Sequence, residues 1–233
     1  MSTVHTVILY GCAAAVVAPG TRLLMELTGA ATPPDAARAM WRRPVPVAAT
    51  MLVALMAAMA VVQSVFPDVV GLLQRDPDGG WWRCGTALLV QSSGWFQLAF
   101  NLAALLAVVP VAARIFGSAE TLLVYLVSGV TAQAVSMAGW QPHGAGNSVA
   151  ICGLVGALAT GYALRGRRLA LRRLALLIPA AGVVLCAVTN NHGVGILVGG
   201  VLGVVSGIGR GALAGRWPTD SHQGPAGQHV AGG

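Results

Sequence analysis

Lysine is absent from the 233 residues: all fourteen basic side chains are arginines, and with seven acidic residues the charged share is only 9%. Soluble domains carry about 25% charged residues, so a soluble globular domain is excluded. Cysteine is also scarce. The four thiols, Cys12, Cys84, Cys152 and Cys186, form no CxxC pair and do not cluster with histidine. That spacing speaks against a disulfide framework and a zinc site, so free thiols, no metal and no cofactor are expected. No basic segment precedes the first apolar run, and Arg22 follows it, which fits a cleavable signal peptide poorly. The net charge of +7 would by itself suit nucleic acid. The arginines stand instead in short runs between apolar segments, a placement that suits membrane orientation, and no nucleic-acid partner is expected.

What the chain has in abundance is apolar sequence, 56% of its residues, gathered in runs long enough to cross a bilayer. The expected class is an all-α polytopic membrane helix bundle. A short first run, 4–18, ends at Pro19-Gly20, and residues 20–44 are expected as a basic loop with a short interfacial helix. Spans are predicted at 45–66, 95–115, 118–138, 148–164, 174–188 and 192–208. Between the first two lies a long connection, 67–94, whose Trp81 and Trp82 suit a membrane interface. The tail, 211–233, is rich in Gly, Pro, Ser and His and is expected to be disordered. If 20–44 is cytoplasmic, alternation places twelve of the fourteen arginines inside and only Arg75 and Arg83 outside, as the positive-inside rule requires. The helices beginning at Ser148 and His192 then both run inward, and both residues lie near the outer end.

The stretch GNSVAICGLVGA, Gly146 to Ala157, sets Ser148 on the first turn of a glycine-spaced helix. NHGVGILVGGVLGVVSG sets His192 at the head of the last span. Gly195, Gly199, Gly203 and Gly207 make a GxxxG stripe, and Gly153 and Gly156 offer a small face on the serine helix, the pattern that lets helices approach closely in lipid. Taken singly, Ser148 reads as readily as a helix cap, and the glycines as simple packing. A hydroxyl and an imidazole at one depth on helices built to touch point instead to a nucleophile and its base. His143, five residues before the serine, is a competing base.

These residues resemble the rhomboid family of intramembrane serine proteases. The serine motif is similar to that family's GxSxxxxGLxGA, with Gly146 and Ser148 in place, and His192 followed by Gly195 and Gly199 is similar to its histidine helix. The family begins its second core helix with a histidine four residues before an asparagine, both oxyanion ligands; here the positions read Gln97 and Asn101. Arg114-Ile115-Phe116-Gly117 resembles the end of that helix, and Trp82-Arg83 the WR pair of the first loop. Departures are Val149 after the serine, Ala113 for a frequent glutamate, Gln91 or Ser92 for a loop histidine, and no tyrosine on the fifth core helix. The resemblance implies a six-helix core over 45–210, with 1–44 an extra N-terminal helix or anchor and basic loop. It also implies a serine endopeptidase with Ser148 as nucleophile, His192 as base, Asn101 and Gln97 at the oxyanion, and transmembrane proteins as substrates. The expected location is a bacterial plasma membrane with the site toward the outer face. The alternative is an inactive rhomboid-like protein that binds transmembrane clients. A small transporter or channel is disfavoured by the lack of an inverted repeat and of intramembrane carboxylates.

Overall fold

The computed structural model describes residues 3–42 and 44–208; the expected disordered tail, Arg43, Arg210 and Arg216 lie outside the described residues. The elements are α1 (Thr3–Thr28), α2 (Pro33–Met40), α3 (Val47–Val65), α4 (Val69–Leu73), α5 (Arg83–Thr86), α6 (Gly94–Phe116), α7 (Ser118–Val135), α8 (Ser148–Arg165), α9 (Leu169–Ala175), α10 (Leu177–Ala187) and α11 (Asn191–Ile208). A π-helical turn, Ser136–Trp140, extends α7. Among the described residues, six stretches are long and apolar enough to cross a membrane: α1, α3, α6, α7 with its π turn, α8, and Leu169–Ala187; Asn191–Ser206 is a shorter apolar helix. The chain is an all-α integral membrane bundle, with α1 added to a core of five long spans and the shorter apolar helix α11. Large apolar side chains such as Val47, Leu126, Val183 and Val201 stay exposed on its perimeter, as lipid-facing positions require.

Two boundaries differ from those predicted. The first helix does not stop at Pro19-Gly20 but continues through Arg22 to Thr28, because Leu23 is fully buried and Leu24, Met25 and Leu27 pack on the core. That packing outweighs the hydrogen bond the proline removes. The short helix expected in 20–44 is α2, capped by Thr32, whose hydroxyl accepts from the Asp35 N–H. The fifth core span starts earlier than 174 and is divided at Leu176. Pro179 accounts for the division: its ring would clash with the Ala175 carbonyl and its nitrogen cannot donate.

The arginine-rich loops gather at one end. Arg114 at the end of α6 donates to the carbonyls of Met40 and Arg42 at 3.2 and 2.5 Å. Glu26 of α1 accepts from Tyr162 of α8 at 3.3 Å and lies 3.4 Å from Arg168. Ser148 begins α8 and therefore stands at the opposite end, roughly 27 Å away at 1.5 Å per residue.

The centre of the bundle is the seam between α8 and α11. A Cβ on Gly195 would lie 2.2 Å from the Val149 carbonyl oxygen, one on Gly199 1.9 Å from the Gly153 oxygen, and one on Gly203 2.7 Å from Ala157. Both helices advance four residues per step, so they run parallel in one fixed register, backbone against backbone. From α8, a Cβ on Gly156 would come within 2.2 Å of the Ile196 oxygen of α11, and one on Gly153 within 1.9 Å of Ser128 Oγ of α7. The fourth glycine of the stripe, Gly207, falls outside the residues whose packing is described.

Candidate active site

The parallel register brings the heads of α8 and α11 together. Ser148 Oγ lies 2.9 Å from His192 Nε2, both residues being half-buried. Ser148 does not cap its helix: the N-cap position is Asn147, without a side-chain cap bond, and the serine hydroxyl is directed at the imidazole instead. His143 does not compete for it. Its ring is turned toward Asp76, with Nε2 3.6 Å from Oδ1. The other ring nitrogen of His192, Nδ1, lies 2.8 Å from Asn190 Oδ1.

The pair opens into a cavity of about 270 Å³ whose wall includes Arg75, Gln97, Gln133, His143, Ser148 and His192. The cavity is lined mostly by polar groups and is large enough to admit water. Its roof is the loop after α7, which can fold over the site because Gly144 and Gly146 take φ of 128° and 145°, values that side chains resist. A Cβ at Gly146 would also meet Gln97 Nε2 at 2.5 Å. The loop is tied down throughout: Arg75 N–H donates to the Gly144 carbonyl at 3.0 Å and Gly146 N–H to that of Ala87 at 2.9 Å. Gln133 Nε2 donates to the Gly146 carbonyl at 2.9 Å.

The two residues expected at the oxyanion are placed differently. Gln97 lines the cavity; its Nε2 donates to the Ala145 carbonyl at 3.1 Å, leaving one of its two amide hydrogens. Asn101 is buried behind the wall. Its Nδ2 donates to Gln91 Oε1 at 2.7 Å, and Gln91 Nε2 donates in turn to Asn147 Oδ1 at 3.0 Å. Asn101 thus braces the residue preceding the serine rather than facing the cavity. The N–H groups of Ser148 and Val149 stand in the first turn of α8, where no intrahelical carbonyl is in reach. They are the site's backbone donors, at the positive end of the helix dipole.

Sequence reasoning passed over Arg75, treating it only as an outside charge. It is 4% exposed and holds the roof through the carbonyls of Gln141, at 2.7 Å, and His143, at 3.1 Å, and through Gln133 Oε1. Burial lowers its pKa from the ordinary arginine value, an effect that nearby Cys84 opposes. Replacing Arg75 with Met strands three acceptors and is expected to lower stability by about 3 kcal/mol. Thermal unfolding in detergent, together with faster proteolytic nicking of 141–147, checks it. Arg83 and Trp82 stabilise the preceding loop: Arg83 lies 3.1 Å from Asp76 and its guanidinium carbon sits 5.4 Å from the Trp82 ring centroid.

The chain is thus a bundle of parallel and antiparallel membrane helices with a serine hydroxyl 2.9 Å from a histidine nitrogen at the head of a glycine-packed seam. A Rhomboid domain profile matches residues 78–216, more than half of the chain, and the protein belongs to the rhomboid family. It is 34% identical over 129 residues to "Rhomboid protease GluP" of Bacillus subtilis (strain 168), an alignment covering 52% of this chain and 25% of that protein. The chain therefore spans about a quarter of that relative's length. No solved structure matches it significantly. Among the described residues no group of histidine, cysteine or acidic side chains could hold a metal ion.

Proposed function

We propose that this protein is an intramembrane serine endopeptidase that hydrolyses peptide bonds in or near transmembrane segments of other membrane proteins. The observation that carries the reading is the 2.9 Å approach of Ser148 Oγ to His192 Nε2 at the mouth of a polar cavity. His192 takes the hydroxyl proton as Oγ attacks the scissile carbonyl, and returns it to the leaving amine as the C–N bond breaks; water then repeats the sequence on the acyl-enzyme. The oxyanion is held by the Ser148 N–H and the free amide hydrogen of Gln97, with Asn101 acting through Gln91 and Asn147. Because the arginine-rich end lies opposite, the cavity opens toward the outer side of a bacterial plasma membrane. The substrate is a transmembrane segment with small or helix-destabilising residues near its outer end, able to unwind into the cavity.

Reconstitution of the full chain with such a segment in proteoliposomes tests this. Cleavage within the outer part of the segment is expected. Binding of intact segments without cleavage would replace the protease with a rhomboid-like protein that holds transmembrane clients. In an active preparation, Gln97→Ala is expected to slow turnover by roughly 100-fold, the usual cost of one oxyanion donor.

A further inference from the structure

The turn that joins α10 to α11 carries more than connectivity. Asn190 N–H donates to the Leu185 carbonyl at 2.9 Å and Thr189 N–H to that of Cys186 at 3.0 Å, the paired bonds of a Schellman ending. That ending needs a left-handed residue, usually glycine, and Thr189 fills it at φ 55°, the only non-glycine with positive φ among the described residues. A β-branched side chain resists this conformation. The consequence is that Asn190 is delivered, side chain first, to the head of α11.

There Asn190 Oδ1 accepts the His192 backbone N–H at 3.0 Å and stands 2.8 Å from His192 Nδ1. The backbone bond alone is an ordinary N-cap, in which a side-chain oxygen satisfies the N–H two residues on. It also identifies the atom: only an oxygen can accept from that N–H. The atom facing Nδ1 is therefore an acceptor, and Nδ1 carries the proton. In the neutral ring, Nε2 is then left with its lone pair directed at Ser148 Oγ, 2.9 Å away.

We infer that Asn190 is a positioning residue for His192, fixing by one hydrogen bond both the plane of the ring and the tautomer that leaves Nε2 free to take the serine proton. As the proton arrives at Nε2, the Nδ1–H···Oδ1 bond stays in place and strengthens as the ring becomes cationic. The wall facing the pair offers no carboxylate: its titratable and charged members are Arg75 and His143. A neutral amide thus does what an acid does in Ser-His-Asp sites. The inference rests on the proteolytic reading for its consequence in turnover, but the tautomer can be read without any activity.

The test uses the full chain in detergent micelles with ¹⁵N-labelled histidine at pH 8, where an imidazole of ordinary pKa is neutral. The His192 signals are assigned by their loss in His192→Gln. Wild type is expected to carry the proton on Nδ1. Asn190→Ser keeps a helix-capping hydroxyl, so the unfolding midpoint is retained, but that side chain is too short to hold Nδ1. The expected result is a shift toward the Nε2–H tautomer and a kcat lowered about 100-fold or more at nearly constant KM, as when a catalytic histidine loses its tautomer. Asn190→Asp, which restores the acceptor, is expected to recover the Nδ1–H form and most of the turnover lost in Asn190→Ser. Wild-type His192 protonated on Nε2, or an Asn190→Ser protein with unchanged tautomer, overturns the inference whatever the activity. Asn190-dependent tautomer in a chain that cleaves nothing leaves Asn190 as the orienting residue and removes the protease instead.

Discussion

Ser148→Ala is expected to reduce cleavage of a reconstituted transmembrane reporter by about 10⁴-fold or more, and His192→Ala by a similar factor. The double variant should be no worse than either single one. The reason is mechanical: Oγ needs Nε2 to take its proton, and Nε2 has no other role at 2.9 Å from that hydroxyl, so removing either partner removes the same step. Each variant should fold, since Ser148 supplies no cap to α8 and the imidazole faces a cavity. Initial rates under single-turnover conditions, with unfolding midpoints recorded alongside, give the comparison. Additive losses would mean that the two side chains act in different steps.

The second large effect concerns the seam. Gly199→Val is expected to cost more than about 3 kcal/mol, the upper part of the range for overpacking, and to leave little folded protein. A single Cβ at that position would already lie 1.9 Å from the Gly153 oxygen and 2.5 Å from its Cα. Those are backbone atoms of a packed helix that cannot rotate aside, and small interface residues are what permit such an approach in lipid. Gly200, one residue on, provides the control: its Cβ would come no closer than 3.2 Å to the Thr160 side chain and 3.9 Å to the Gly156 oxygen, so Gly200→Ala should cost far less than Gly199→Ala. Unfolding in mixed micelles, followed by helical signal, ranks the three. Separation of the helix heads should also remove activity from any Gly199→Ala protein that survives.

The features legible in the sequence are those with a period or a composition behind them. The arginine distribution anticipated that the basic loops share one end of the bundle, and the four-residue glycine spacing anticipated a close seam that the structure resolves into Val149, Gly153 and Ala157 against Gly195, Gly199 and Gly203. Once direction and seam are known, the meeting of Ser148 and His192 follows. Features that depend on three-dimensional detail were not legible. Pro19 signalled an end to α1 that the packing of Leu23 overrides, and Pro179 lay in a run whose hydropathy hides the break it causes. Asn101 matches a motif position, but which partner its amide selects, here Gln91, is decided by side chains that meet only in the fold. Arg75 lay in an outer loop where nothing in the pattern distinguishes a buried tether from a surface charge. An asparagine two residues before a helix-head histidine was the one available signal for Asn190, and its second bond depends on the left-handed turn at Thr189.

The central claim is that Ser148 is a nucleophile activated by His192 within the membrane. Treating the folded full chain with a fluorophosphonate probe and mapping the adduct by peptide mass spectrometry tests it most directly. The account expects one covalent phosphonyl group on Ser148 and none after denaturation or in His192→Ala. An unlabelled Ser148 in protein that remains folded, or labelling that persists without the imidazole, would contradict it.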